Sequence, residues 1–158
     1  MKDVRRRGFV ALVLAQAAGG SLAVSSADGD DQALLADADY TAGLAASKAG
    51  DAAAALARFE SALKRFPDAA DLHNELGFAH RHLRQFDKAF EHYKRALAIN
   101  PQHRGAHEYI GEAYLMVGDV PAAEQHLAAL RSICVLPCEE LKDLEKAVAG
   151  YRERGSVR

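Results

Sequence analysis

The feature that most constrains this chain is a sequence repeat with a period of about 34 residues. Matching residues recur at that distance: Phe59 and Tyr93, Ala62 and Ala96, Leu63 and Leu97, Pro67 and Pro101. Two further series have three members each: Gly43, Gly77 and Gly111, then Ala55, Ala89 and Ala123. A fixed period of this length is typical of stacked supersecondary units, each of which buries its apolar face only against its neighbours.

Each unit reads as two amphipathic helices joined by a short turn, with no strand pattern. The recurring Gly and Ala allow close helix crossing, and Pro67 and Pro101 end the second helices. The predicted helices span residues 34–48, 51–65, 70–83, 86–99, 104–117 and 120–133. A last helix from Glu139 is expected to cap the stack through the apolar stripe of Leu141, Leu144, Val148 and Tyr151.

The second copy resembles the tetratricopeptide repeat (TPR) family, whose signature positions carry these residues: Leu76, Gly77, His80, Phe86, Ala89, Tyr93, Ala96, Leu97 and Pro101. The resemblance implies an all-α, right-handed α-solenoid over residues 34–135, with three helix-turn-helix units at about 36–69, 70–103 and 104–137. A capping helix at 138–153 and a tail at 154–158 would complete it. The segment 134–144 also resembles the end of a group of secreted bacterial TPR proteins.

The first 27 residues read as a secretory signal peptide. A basic MKDVRRR precedes an apolar GFVALVLAQAAGG, which is too short for a membrane span, and small residues follow. We expect cleavage after Ala27, or after Ala23, and a flexible lead-in at 28–33. RRGFV at 6–10 resembles a twin-arginine signal, so twin-arginine export, Sec export and an uncleaved anchor all stay open. The expected location is the periplasm, with no stable membrane insertion after cleavage.

In the TPR family the first helices form a concave face, which implies a set of groove residues here: Tyr40, Leu44, Lys48, Asn74, Glu75, Phe78, Arg81, His82, Glu108, Tyr109 and Glu112. TPR domains that clamp a C-terminal carboxylate use Lys, Arg and Asn at such positions, whereas this set contains three glutamates. A short peptide or partner helix with apolar anchors and some basic residues fits better. The alternative is a solvated groove whose acids keep the protein soluble.

Histidines raise the question of a metal site. His73 and His80 lie two helical turns apart and are expected to pack between helices, while His82 lies on the groove side. His92 and His126 lie one repeat apart and are expected at equivalent outer positions of second helices. The pair with chelating spacing, a weak candidate, is His103 and His107.

Cys134 and Cys138 flank Pro137, which interrupts the helix pattern. In an exported protein two cysteines favour one disulfide, here a staple between the last repeat and the capping helix. The other interpretation is a redox or copper site, although copper proteins with this spacing resemble thioredoxin and contain strands.

The leading hypothesis is therefore a non-enzymatic interaction module or scaffold, for which envelope assembly is one setting, with a protein or peptide partner and no cofactor. A metal- or redox-handling accessory protein that uses Cys134/Cys138 or His103/His107 is the alternative. The net charge of −2 and the lack of a basic stripe argue against nucleic-acid binding. No phosphate-binding loop, nucleophile elbow or metalloprotease helix is present. The oligomeric state stays open.

Overall fold

The computed structural model describes residues 27–156, and the side chains of residues 31–155. This part of the chain is all-α, without a strand, as predicted. Its helices are α1 (Ala27–Leu35), α2 (Ala38–Lys48), α3 (Ala52–Leu63), α4 (Ala70–His82), α5 (Phe86–Ile99), α6 (Arg104–Val117), α7 (Val120–Ile133) and α8 (Glu139–Ser156). The predicted signal peptide lies outside these residues, apart from its last residue. None of the described helices is long and apolar enough to cross a bilayer.

Three antiparallel hairpins stack into an α-solenoid: α2 with α3, α4 with α5, and α6 with α7. The first helices of successive hairpins touch, since α2 contacts α4 and α4 contacts α6. Within residues 27–156 no comparable contact joins α3 to α5 or α5 to α7. The first helices therefore form the inner layer of a curved stack, and the second helices form its outer layer.

The turn inside each hairpin contains one residue with a left-handed backbone. These residues are Gly50 (φ 79°), Arg84 (φ 59°) and Gly118 (φ 85°). In the first and third hairpins an aspartate follows, and its carboxylate accepts a hydrogen bond from the N–H three residues on. The middle hairpin keeps the same turn although Arg84 carries a side chain, which costs about 1 kcal/mol at such a φ.

The recurring glycines lie against large buried side chains. A Cβ at Gly43 would come within 2.4 Å of the Phe59 ring, and one at Gly77 within 2.6 Å of the Tyr93 ring. At Gly111 the same contact, 2.7 Å, is made by Leu144 of α8. The missing side chains thus make room for an aromatic ring from the second helix in two repeats, and for the capping helix in the third.

Helix α8 covers the open end of the stack as predicted. Leu144 and Val148 are buried against α6 and α7, and Leu141 and Tyr151 pack beside them. The helix continues to Ser156, three residues beyond the predicted end at 153.

The start of the first repeat differs from the prediction. Residues 28–33, expected as a flexible lead-in, lie within α1, and Leu34 is buried in the first core cluster. The next helix begins at Ala38 rather than at residue 34, because the carboxylate of Asp37 caps it by accepting from the N–H groups of Asp39 and Tyr40.

Cys134 and Cys138 lie in the turn between α7 and α8, with Cα atoms 5.9 Å apart and their sulfurs paired. Cys134 ends α7, and α8 begins directly after Cys138. Val135 and Leu136 between them are 96% and 78% exposed, so the turn projects two apolar side chains into solvent.

Candidate functional site

The centre of the inner face is an arginine that packs against two aromatic rings, which also touch each other. The guanidinium carbon of Arg81 lies 5.3 Å from the ring centroid of Phe78 and 5.2 Å from that of Tyr109. The two rings lie 5.2 Å apart, and the exposed ring of His82 packs 4.2 Å from Phe78. This aromatic–arginine cluster joins α4 to α6 on the groove side.

Arg81 is fixed by charge as well as by stacking. It is only 7% exposed and forms an ion pair with Glu112 of α6. A planar guanidinium that is stacked on rings and bonded to a carboxylate is well ordered. The cluster therefore presents rigid aromatic surface around a cation whose charge is already matched.

Two further carboxylates line the inner layer. Burial is the main cause that raises the pKa of Glu75 to about 7, and it raises the pKa of Glu108 to about 7 as well. For Glu75, nearby Asp71 adds to the effect, while an amide hydrogen bond from Asn74 at 3.4 Å opposes it. The Oδ1 atom of Asn74 is buried and has no hydrogen-bond partner among the described residues.

The predicted groove residues of the first repeat do not join this cluster. Tyr40 is 4% exposed and packs 5.9 Å from the Phe59 ring inside the first core cluster. Leu44 is half-buried against the same core, and Lys48 is exposed at the end of α2. The structure thus brings together predicted residues of the second and third repeats, while Tyr40 is a core residue.

Histidines link the two helices of the second and third hairpins. In the second, His73 Nδ1 lies 3.0 Å from His92 Nδ1, and His73 Nε2 lies 3.0 Å from the carbonyl oxygen of Pro67. In the third, His107 Nδ1 lies 2.9 Å from His126 Nδ1, and a proline carbonyl again lies 3.0 Å from Nε2. His73 packs between helices as predicted.

The prediction of outer positions for His92 and His126 was wrong. Both are half-buried and turned toward the first helix, where their partners lie. His80, also buried as predicted, stacks on His92 with centroids 5.3 Å apart. The first hairpin uses the same pair of positions for an ion pair, since Asp39 and Arg58 stand one repeat before His73 and His92.

His103 and His107 do not converge on a common point. His103 Nδ1 accepts a hydrogen bond from the Ala106 N–H, and its Nε2 lies 2.8 Å from an Asp71 oxygen. Both ring nitrogens of His107 are engaged with His126 and Pro101. This geometry gives the weak metal candidate no support, and within the described residues no group of three His, Cys, Asp or Glu side chains could hold an ion.

Several residues that line a cavity between α6 and α8 were not expected on the inner face, among them Met116, Asp143 and Tyr151, the last of which was expected only in the capping stripe. Met116 stands one repeat after His82, so the period alone could have placed it on the inner face. The other two belong to α8, and their position depends on how the capping helix crosses α6, which the repeat does not encode.

Comparison with solved structures shows the same fold in three proteins of low sequence identity. The TPR2B domain of yeast Sti1 in its pHsp70 complex aligns with TM-score 0.67 and 18% identity, covering 73% of this chain and 94% of that chain. The second TPR domain of human RPAP3, in complex with the HSP70 peptide SGPTIEEVD, aligns with TM-score 0.63 and 15% identity. The alignment covers 75% of this chain and 98% of that chain. The type III secretion translocator chaperone SycD of Yersinia enterocolitica aligns with TM-score 0.62 and 17% identity. The alignment covers 84% of this chain and 95% of that chain.

Family models lead to the same result. A comparison with curated protein sequences finds no match. Two family models, both described as tetratricopeptide repeat, match residues 40–104 and residues 80–133. Together they span residues 40–133, which is more than half of the chain, and they coincide with the three observed hairpins. The chain therefore belongs to the tetratricopeptide repeat family.

Proposed function

We propose that this chain is a non-enzymatic interaction module that binds a peptide or a partner helix along its inner face. The observation that carries the proposal is the cluster of Phe78, Arg81 and Tyr109. These side chains form a rigid surface on the inner layer of the stack. Aromatic rings and arginine, held in place before binding, are the side chains that contribute most to protein interfaces.

The charge of this inner face determines which peptides it accepts. Two of the structural neighbours are complexes with Hsp70 or an HSP70 peptide, and the HSP70 peptide SGPTIEEVD is acidic. Here Glu75, Glu108 and Glu112 line the inner layer, and the cation at its centre, Arg81, is already paired. A peptide with apolar anchors and basic residues complements this surface, whereas an acidic peptide meets like charge.

We also propose that the protein works after export, in the periplasm, with a role in envelope assembly. The N-terminal pattern at 1–27 supports export by the Sec or the twin-arginine route. The closeness of Cys134 and Cys138 supports a structural disulfide, which would form in an oxidising compartment and staple α7 to α8. The metal-handling alternative loses its support because the nitrogens of His103 and His107 are engaged within the protein.

The test uses a displayed library of random twelve-residue peptides selected on the purified chain. We expect apolar-anchored peptides to be enriched on the wild type and lost on the Phe78→Ala/Tyr109→Ala double variant. Leu136→Ala is the control, because Leu136 is equally apolar but lies exposed in the cysteine turn, away from this cluster. The acidic peptide SGPTIEEVD is added as a competitor. It is expected not to displace the selected peptides, because it meets like charge on the inner face.

The proposal fails if the wild type enriches no peptide, or if the double variant, with its helical circular dichroism intact, binds the selected peptides as well as the wild type does.

A further inference from the structure

A cavity of about 930 Å³ lies between α6 and α8, at the C-terminal end of the inner face. Arg81, Glu108 and Glu112 line it on one side, and Asp143 and Tyr151 of α8 line it on the other. It therefore continues the aromatic–arginine cluster, because Arg81 belongs to both. An extended peptide or helix on the cluster would reach this cavity with its next side chains.

The unusual group in this cavity is the carboxylate of Glu108. The residue is only 9% exposed, and no hydrogen bond or ion pair reaches its carboxylate from the side chains of residues 31–155. The carboxylate oxygens are open to the cavity rather than enclosed by protein, so a ligand in the cavity can reach them. The equivalent positions of the first two repeats are uncharged, occupied by Tyr40 and Asn74.

The surroundings of Glu108 add negative rather than positive charge. Burial is the main cause that raises the pKa of Glu108, and Glu112, Asp143 and Glu140 raise it further, while Arg81 opposes them. Arg81 is committed to Glu112 and to the two rings, so it does not neutralise Glu108.

Two cations of α8, Lys146 and Arg154, also line the cavity, together with Glu153. Neither of the two cations forms an ion pair with Glu108 in the part of the chain that the structure describes. The cavity therefore contains charges of both signs, and the carboxylate of Glu108 is unpaired among them.

We propose that Glu108 receives the cationic side chain, arginine or lysine, of the peptide bound along the inner face. This inference rests on the proposed function and specifies the chemistry of its ligand. A guanidinium or ammonium group supplies the donors that Glu108 lacks. The aliphatic stem of such a side chain would pack on Leu115, Met116 and Ala147, which form the apolar part of the wall.

The cation is taken up by an ionised carboxylate. Because the pKa of Glu108 lies at about 7 in the free protein, binding a basic side chain at or below neutral pH releases a proton. The affinity for a basic peptide is therefore expected to rise between pH 6 and pH 8. The pKa of Glu75 on the same inner face is also raised to about 7, so the rise in affinity is assigned to Glu108 only by its loss in Glu108→Gln.

The experiment selects random twelve-residue peptides on the wild type, on Glu108→Gln and on Glu91→Gln. Glutamine keeps the shape of glutamate and removes the charge. Glu91→Gln makes the same change at an exposed position of α5, the outer helix of the second hairpin, and is the matched control. We expect peptides from the wild type and from Glu91→Gln to share an arginine or lysine beside apolar residues. Peptides from Glu108→Gln should keep the apolar residues and lose the basic one.

Calorimetry then measures one selected peptide and the same peptide with its basic residue replaced by glutamine. On the wild type the replacement should weaken binding roughly 30-fold, the effect of breaking a buried charge pair. On Glu108→Gln it should matter less than about threefold, since the coupled group is absent.

A wild type that enriches peptides without a basic residue overturns this inference and leaves the proposed function standing. Equal losses on the wild type and on Glu108→Gln also overturn it, because the basic residue would then act elsewhere. If no peptide is enriched on any form, the proposed function itself fails.

Discussion

Mild acidification is expected to destabilise the second and third hairpins, because each contains a histidine pair with one buried and one half-buried ring. The carbonyl of Pro67 only accepts hydrogen bonds, so His73 must donate to it from Nε2. In neutral His73 the other nitrogen, Nδ1, is then an acceptor, and His92 must donate to it from its own Nδ1. One added proton is tolerated, because on Nε2 of His92 it leaves the bond unchanged, and on Nδ1 of His73 it only requires His92 to change tautomer and accept. With two, both facing nitrogens carry hydrogens and the bond is lost.

The magnitude follows from the pKa of the outer member of each pair. Burial is the main cause that lowers the pKa of His92 and of His126 to about 4, and the partner imidazole adds to it. As pH falls below 6.5, the ordinary value for histidine, the unfolded chain binds protons that the folded chain does not. Stability is therefore complete above about pH 6.5 and is lost progressively toward pH 4. At pH 5 such a shift amounts to about 2 kcal/mol for each histidine, which we halve because both rings are partly exposed.

The assay is urea unfolding, followed by far-UV circular dichroism, at pH 7.5 and pH 5. Glutamine at positions 92 and 126 still donates to the facing nitrogen but does not titrate. We expect the wild type to lose about 2 kcal/mol more than His92→Gln/His126→Gln between the two pH values. His82→Gln, the same change at an exposed histidine, should keep most of the wild-type loss.

The test compares how the free energy of unfolding changes with pH in each variant, because the pH dependence of a single protein contains other titrating groups. Glu75 and Glu108 titrate in the opposite direction, because their raised pKa values reduce stability as pH rises from about 4.5 to 7. These two terms are common to all three proteins and cancel in the comparison. A double variant with the full wild-type pH dependence would refute the assignment of the titration to these pairs.

The remaining predictions concern three local features. Gly77→Ala should destabilise the fold by about 1–2 kcal/mol in urea unfolding, because the Tyr93 ring is fully buried and the clash exceeds the gain in helix propensity; no loss would show that the ring gives way. Arg84→Gly should stabilise it by about 0.5–1 kcal/mol, since the turn needs a left-handed residue, and an unchanged midpoint would contradict that reading. In the oxidised chain, replacing Cys134 and Cys138 by serine should cost at most about 2 kcal/mol, the entropy of so short a loop, and a larger cost would mean that the turn organises α8.

Most of the fold could be predicted from the sequence because the signals that start and end its helices are local. The repeat period placed six helices, and the observed ends of α4 to α7 differ from the predicted ones by one residue at most. The prolines marked the ends of second helices, and Gly50 and Gly118 supply the left-handed residue that two of the turns need. The start of α2 was misplaced because the apolar residues of α1 and α2 run together, while a single capping aspartate separates them.

The site was less predictable because it depends on contacts between elements. Tyr40 has the right register for the inner face, but in the first repeat that position packs on Phe59 and belongs to the core. The histidine pairs could have been found, since His73 and His107 repeat with the same period as His92 and His126. The contact between their rings, however, depends on the crossing angle of the two helices in each hairpin, which the sequence period does not specify.

The repeat separates positions that hold the hairpins together from positions that face a ligand. One pair of positions joins the two helices of every hairpin, although its residues differ. It is an aspartate–arginine pair in the first hairpin and a histidine pair in each of the next two. One inner position changes from Tyr40 to Asn74 to Glu108, and it becomes more polar toward the capping helix. The first two of these side chains serve the core or a neighbouring residue, whereas the third faces a cavity without a partner among the described residues. The inner position that is open to a ligand therefore lies beside the capping helix, next to the aromatic–arginine cluster of α4 and α6.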